Sequence, residues 1–360
     1  MHPSLFKPIR FGAIAMPNRI LMAPLTRARA TRAFKPTPVM AEYYAQRAGA
    51  GLIISEATAV SRQGMGWPFA PGIWTDEQAE AWARVAHAVH GAGGRIMLQL
   101  WHMGRLVHPD FLGGGVPVAP SAIAASGHAH TYRGNQPRVT PRALGTDEIA
   151  GVVDEYRRAT RRALQAGFDG VQIHAANGYL IDQFLHDGSN HRTDAYGGGI
   201  DNRCRFMLEV VQAAVEVAGA DRVAVRLSPS GSMGDMEDSD VRGLFVRAAE
   251  MLDTLRLAFL ELHEPGRESG FHPGVNDPVA PEIRRAYSGK LVLNSDYTPG
   301  GAQHAVEHAA ADAISFGRPF ISNPDLPERI AAGLPLADGD KSKWYTQGPE
   351  GYVDYPPARP

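Results

Sequence analysis

Apolar residues along this chain fall into short dense runs, each followed by a longer stretch in which they recur every three or four positions. The runs are RILMAPLT (19–26), GLIISEAT (51–58), RIMLQLW (95–101), GVQIHA (170–175), VAVRLSP (223–229), LAFLELHE (257–264), KLVLNSD (290–296) and DAISFGR (312–318). Their length and β-branched content predict buried strands. The stretches between them predict amphipathic helices: one containing MAEYYAQRA, then DEQAEAWARVAHAVHGAGG, TDEIAGVVDEYRRATRRALQAG and NRCRFMLEVVQAAVEVAG. Shorter helices are expected around Asp240 to Leu252, Pro281 to Tyr287, Gly301 to Ala310 and Pro327 to Ala332. Asp76 is the expected N-cap of the second helix, with Gly91 to Gly94 as its stop; Thr146 or Asp147 should cap the third. Strands alternating with helices predict an α/β fold with a parallel sheet and crossover helices, and eight such units fit a closed (β/α)8 TIM barrel. The doubly wound open sheet is the alternative, but no G-x-G-x-x-G turn follows the first strand. LFKPIRFGAIAMPNRI alternates around Gly12 and predicts a short N-terminal β-hairpin. A long excursion after strand 3 runs to about Leu144. No linker rich in Pro, Gly or Ser divides the chain, so residues 1–360 are expected to form one domain.

Composition narrows the class. With 44% hydrophobic and 21% charged residues, the chain can bury a large core. A formal net charge of −2 offers no field for nucleic acid or an anionic membrane. No apolar run approaches a bilayer span, and the N-terminus lacks the apolar core of a signal peptide, so a soluble cytoplasmic protein is expected. Cys204 is the one cysteine. It excludes an intramolecular disulfide, a cysteine-ligated iron–sulfur cluster and a multi-cysteine zinc site.

Barrel enzymes place their sites at the C-terminal ends of the strands. The most informative end lies in GVQIHAANGYLIDQFL (170–185), where an apolar run turns polar within six residues. His174 and Asn177 both offer N–H donors for one carbonyl oxygen and for charge developing on it. Tyr179 is protonated at neutral pH and can give up a proton. A polar loop capping the next helix is the bland alternative; three such groups at one strand end favour function. Arg226 sits in an otherwise apolar strand. It needs either an anionic ligand or a structural partner such as Glu56. Gln99, also mid-strand, suits a heterocycle edge or a satisfied core amide. The loops after strands 7 and 8 are where barrels often bind phosphate. There Gly317 permits close backbone approach, and Arg318 supplies a forked donor set. Other features carry less. His128 and His130 have metal-compatible spacing without a third ligand and are expected in a loop. His87 and His90 belong to a helix face. GDMEDSD (234–240) is expected to be solvated or to cap a helix near Asp238 to Asp240. Cys204 is expected to be a packed thiol.

These segments, in this order, resemble the old yellow enzyme family of FMN-dependent ene-reductases. The resemblance is carried by LFKPIRFGAIAMPNRILMAPLTRARA, YYAQRAGAGLIISEAT, LQLWHMGR, HAANGYLIDQFLHDGSNHRTDAYGGGIDNRCRF, VRLSP, SFGRPFISNPDL and EGYVDYP. It covers almost the whole chain and is similar to the bacterial N-ethylmaleimide and pentaerythritol tetranitrate reductases. By position it implies that Pro24, Leu25 and Ala57 line bound FMN and that Thr26 donates near its C4 carbonyl. Gln99 and Arg226 would hold the pyrimidine edge, and Ser295, Asp296, Gly317 and Arg318 the phosphate. His174 and Asn177 would grip the substrate oxygen, Tyr179 would donate the proton, and Trp67, Trp101 and Tyr345 would shape the pocket. NADPH or NADH would be the reductant. The implied acceptors are α,β-unsaturated carbonyls, imides or nitroalkenes, reduced by hydride from flavin N5. Trp67 stands where close relatives have Tyr, Met103 where a small residue is common, and NSD where Ala and Gly surround the phosphate; Asp296 is therefore expected to face out. Thr26 with Trp101 fits the Thr-containing branch. The competing readings are a metal-dependent barrel hydrolase drawing on His102, His174 and His263, and a non-catalytic FMN carrier. Monomer and homodimer both stay open.

Overall fold

The protein is described by a computed structural model that covers residues 2–269 and 273–358. Eight parallel strands close a barrel: β1 (Ile20–Met22), β2 (Leu52–Ile54), β3 (Ile96–Trp101), β4 (Gly170–His174), β5 (Val223–Leu227), β6 (Phe259–His263), β7 (Leu291–Asn294) and β8 (Ala313–Phe316). Each pairs with the next, and β8 returns to β1 through Ile314 beside Ile20. The (β/α)8 expectation is met. The hairpin is Ile9–Phe11 paired with Ile14–Met16, turning at Gly12 with φ +53°.

Strand alternation splits the barrel interior into layers. Met97, Ala224, Phe259, Val292 and Ala313 form an apolar lower layer, and the hairpin closes it from below, Phe11 meeting Phe259 at 5.2 Å. Two residues on along five of the strands, the inward positions are Gln99, Arg226, Glu261, Asn294 and Ser315. The odd positions between them, such as Leu98, Val225, Leu260 and Ile314, face the helices and join the main core. The bottom of the barrel is thus oil and its top is polar.

The helices are α1 (Pro38–Ala45), α2 (Asp76–Gly91), α3 (Thr146–Gln165), α4 (Leu180–Leu185), α5 (Ile200–Ala218), α6 (Val241–Asp253), α7 (Ala280–Ala286), α8 (Pro299–Glu307), α9 (Arg318–Ser322) and α10 (Leu326–Ala332). Two caps differ from expectation. Thr75 caps α2, its hydroxyl accepting from Gln78 N at 3.3 Å, while Asp76 already lies inside the first turn. Gly145 precedes α3, because Glu148 reaches back to its N–H at 2.7 Å and Thr146 spends its hydroxyl on Asp194. The acidic loop is not simply solvated. Asp240 does cap α6, but the Asp238 side chain is buried against Arg203.

Two irregular segments cover the top. The excursion after β3 folds into a hairpin, His128–Thr131 against Gly134–Pro137. Residues 341–353 cross back toward the first βα loop. Arg27 donates to the carbonyls of Trp344 at 2.9 Å and Gly351 at 2.8 Å. Arg29 donates to Trp344 at 2.8 Å and Glu350 at 3.0 Å. The Tyr352 ring stacks on Tyr43 at 4.0 Å, between these guanidinium groups. Among the described residues no helix is long and apolar enough to cross a membrane.

Candidate active site

A cavity of about 960 Å³ opens at the C-terminal ends of the strands. Every residue singled out above for the cofactor, the chemistry or the pocket lines it: Pro24, Leu25, Thr26, Ala57, Trp67, Gln99, Trp101, His174, Asn177, Tyr179, Arg226, Ser295, Asp296, Gly317, Arg318 and Tyr345. They converge from all parts of the chain because each stands at or just beyond a strand end, or on a covering segment.

The floor is a polar network. Gln99 Nε2 donates to Gln172 Oε1 at 2.8 Å, and Gln172 Nε2 donates to Glu261 Oε2 at 2.7 Å. Glu261 also accepts from the Ser315 hydroxyl. Arg226 forms an ion pair with Glu261, Nη1 to Oε1 at 2.7 Å, and donates through Nη2 to Asn294 Oδ1 at 2.7 Å. The Nη1 approach lacks hydrogen-bond alignment, and the buried Nε has no partner among the described residues. The structural partner of Arg226 is therefore Glu261, not Glu56. Glu261 is two strand positions above Phe259 on the adjacent strand, opposite Arg226 in register. Glu56 faces Tyr44 instead, bonding its hydroxyl at 3.2 Å, and burial raises its carboxyl to about 7. A guanidinium whose charge is partly met below and whose Nε is unmet fits an acceptor-rich ring edge placed in the cavity.

One wall carries the candidate chemistry. His174 is 4% exposed and its Nδ1 has no partner among the described residues. Burial, with the Arg226 charge and His263 nearby, holds its pKa well below the usual histidine range. It is a neutral imidazole at pH 7, one nitrogen donating and one accepting. Asn177 and Gly178 follow with φ +57° and +74°. A Cβ at Gly178 would overlap the Met233 carbonyl oxygen, so glycine is required there. The turn is gripped by buried side chains. Asn177 N donates to Ser228 Oγ at 2.8 Å, Gly178 N to Asp182 Oδ2 at 2.8 Å, and Gln183 Nε2 to Gly178 O at 2.7 Å. Tyr179 packs edge-on against Trp101 at 4.7 Å and His174 at 4.9 Å. Burial first, and then Tyr345, raise its pKa above the ordinary phenol value, so it stays protonated.

At the other end Ser295, Asp296, Gly317 and Arg318 are brought together after β7 and β8. Asp296 pairs with Arg318 at the rim, both side chains remaining about two-fifths exposed at 42% and 38%. The roof is aromatic: Trp67 meets His130 at 4.7 Å and Tyr345 at 5.5 Å. His128 and His130, expected in a loop, lie on a hairpin strand, and both line the cavity. His102 is fully buried off the cavity, its Nδ1 accepting from Gly104 N at 3.1 Å. Cys204 is a buried thiol with its pKa raised to about 12. Among the described residues no three His, Cys, Asp or Glu side chains stand ready to hold a metal ion. Sequence reasoning passed over Gln172 and Glu261, although both interrupt apolar runs just as Gln99 and Arg226 do. Arg138 and Trp344 gave no signal, since loop packing alone brings them to the cavity.

The NADH:flavin oxidoreductase / NADH oxidase family pattern matches residues 4–337. The old yellow enzyme homologue of Zymomonas mobilis (NCR) is 55% identical, with 98% of this chain and 99% of that chain covered and a TM-score of 0.97. Morphinone reductase in complex with tetrahydroNAD is 45% identical, with 98% and 97% covered and a TM-score of 0.92. A probable flavin mononucleotide-dependent alkene reductase of Leishmania infantum is 42% identical over 359 residues, 98% of this chain and 97% of its own.

Proposed function

Because the chain belongs to the NADH:flavin oxidoreductase / NADH oxidase family, as an FMN-dependent old yellow enzyme driven by NAD(P)H, we propose that it reduces activated C=C bonds. The substrates we assign are α,β-unsaturated carbonyls, imides and nitroalkenes. The reading rests on one observation: two N–H donors and a protonated phenol share a wall of the cavity above the Gln99–Arg226 floor. Bound FMN supplies the hydride, drawn from NAD(P)H.

The residues do the rest. Gln99 and Arg226 would hold the ring edge, and Arg226 would bring positive charge to the side where negative charge gathers on reduction. Pro24, Leu25 and Ala57 would line its apolar flank and Thr26 would donate near its C4 carbonyl, while Ser295, Asp296, Gly317 and Arg318 would take the phosphate, largely through backbone N–H groups. His174 and Asn177 hold the activating oxygen of the acceptor and stabilise charge developing there. A neutral His174 suits this task, since its N–H donates a hydrogen bond without the acidity of an imidazolium. Tyr179 delivers the proton, and its raised pKa keeps it loaded across the neutral range. Trp67, Trp101 and Tyr345 bound the acceptor from above.

The test is Tyr179→Phe assayed with cyclohexenone. Turnover should fall by roughly 10²–10⁴-fold while flavin content holds, the range for removing a general acid. Unchanged turnover would assign the proton to water and remove Tyr179 from the reading.

A further inference from the structure

We propose that His263 is a positioning residue that fixes which end of the Asn177 amide faces the cavity. The inference rests on the reading of His174 and Asn177 as the pair that holds the acceptor oxygen. A terminal amide has two ends of nearly equal shape, and its last torsion is broad and two-fold. Only the Nδ2 end donates. With Oδ1 turned inward the site would present a lone pair to an oxygen that is gaining negative charge, and one of its two donors would become a repulsive group.

The structure contains a selector. His263 Nδ1 lies 3.1 Å from Asn177 Oδ1. Because an amide oxygen only accepts, this is a hydrogen bond only when Nδ1 carries the proton, and it then fixes Oδ1 away from the acceptor. No described side chain bonds Asn177 Nδ2, which leaves that end for the cavity. Both bonding partners are rigid. The Asn177 backbone is held through its N–H by Ser228. His263 ends β6 beside Asn294, and the next residue, Glu264, is tied to the start of α7 by accepting from Val279 N at 2.6 Å and Ala280 N at 3.1 Å. The imidazole cannot swing far while its neighbour anchors a helix.

The experiment uses the FMN-loaded protein and two readouts. One is the ionisation of bound p-nitrophenol, whose phenolate absorbance reports how well the pocket favours an oxyanion. The other is kcat and KM for cyclohexenone. His263→Phe should raise the apparent pKa of the bound phenol and lower kcat/KM roughly tenfold, less than the hundredfold or more lost when a donor is deleted outright. His263→Gln, which can donate to the same oxygen, should recover most of both. In an Asn177→Ala background His263→Phe should add no further loss. A full additional loss there would make His263 a ligand contact and overturn the proposal. Equal losses in the Phe and Gln variants, with flavin retained, would reduce it to packing and overturn it also. Failure confined to the His263 variants leaves the oxygen-holding pair intact. If Asn177→Ala itself leaves phenol ionisation and turnover unchanged, the pair falls, and this inference falls with it.

Discussion

Around Asn177 and Gly178 the backbone groups are claimed by Ser228, Asp182 and Gln183, all buried side chains at 3% exposure or less. At the opposite end of the same cavity, Ser295 to Asp296 and Gly317 to Arg318 sit near the surface, and the guanidinium of Arg318 is paired with a carboxylate only at the rim. On the proposed function the two ends have different tasks. A group that must meet a reacting atom loses much of its effect when misplaced by an ångström, so its turn is fixed before any ligand arrives. A phosphate is held by charge and several donors, and tolerates slack. On that reading Asp296 would keep Arg318 partly neutralised until an anion competes for it.

The comparison can be broken most severely from the floor that joins the two ends. Arg226→Met leaves Glu261 buried beside Gln172 and Ser315 without its counter-charge. Stripping one partner from a buried pair costs about 3–5 kcal/mol. Denaturation should show that loss, and the absorbance near 450 nm should show that flavin is gone. Retained flavin would mean that Arg226 serves the barrel alone. Next in size is Gly178→Ala, which forces a side chain into a left-handed backbone against Met233. We expect a stability loss of about 1–3 kcal/mol and a roughly hundredfold lower turnover with flavin still bound. Normal turnover would show that the turn need not be held so tightly. The smallest effect belongs to the slack end. Asp296→Asn should tighten FMN binding a few-fold by equilibrium titration, and its stability change should stay within about 1 kcal/mol, as for exposed ion pairs. Weaker binding would assign Asp296 to holding the loop.

Much of this was readable in the sequence, for local reasons. Each strand end could be placed by its apolar run, and a barrel sends all of them to one face. His174, Asn177 and Tyr179 are neighbours in the chain, so no fold was needed to bring them together. The partner of Arg226 was misassigned because pairing between strands depends on register, which apolar patterning leaves open. Glu56 and Glu261 look alike as acidic residues two positions beyond an inward apolar residue, Ile54 and Phe259; they part because Glu261 is still inside β6, whereas β2 ends at Ile54 and Glu56 turns to Tyr44. The pairing of Asp296 with Arg318 was not legible, because it joins two loops 22 positions apart. The excursion hairpin, with His130 under Trp67, has too little alternation to announce itself. The residue that orients Asn177 lies 86 positions away.

The clasp between Arg27 and the carbonyl of Gly351 joins residues 324 apart. In the language of folding, nearly the whole polypeptide must be paid out before the loop that follows β1 gains its final partners, and β1 itself waits for β8 to complete the ring. Contacts of such span form slowly, because loop closure precedes their reward. On a ribosome the first βα unit therefore emerges with Arg27, Arg29 and Tyr43 still in water. The cavity at the strand ends is finished late, by residues 341–353, which are synthesised long after the loop they clasp.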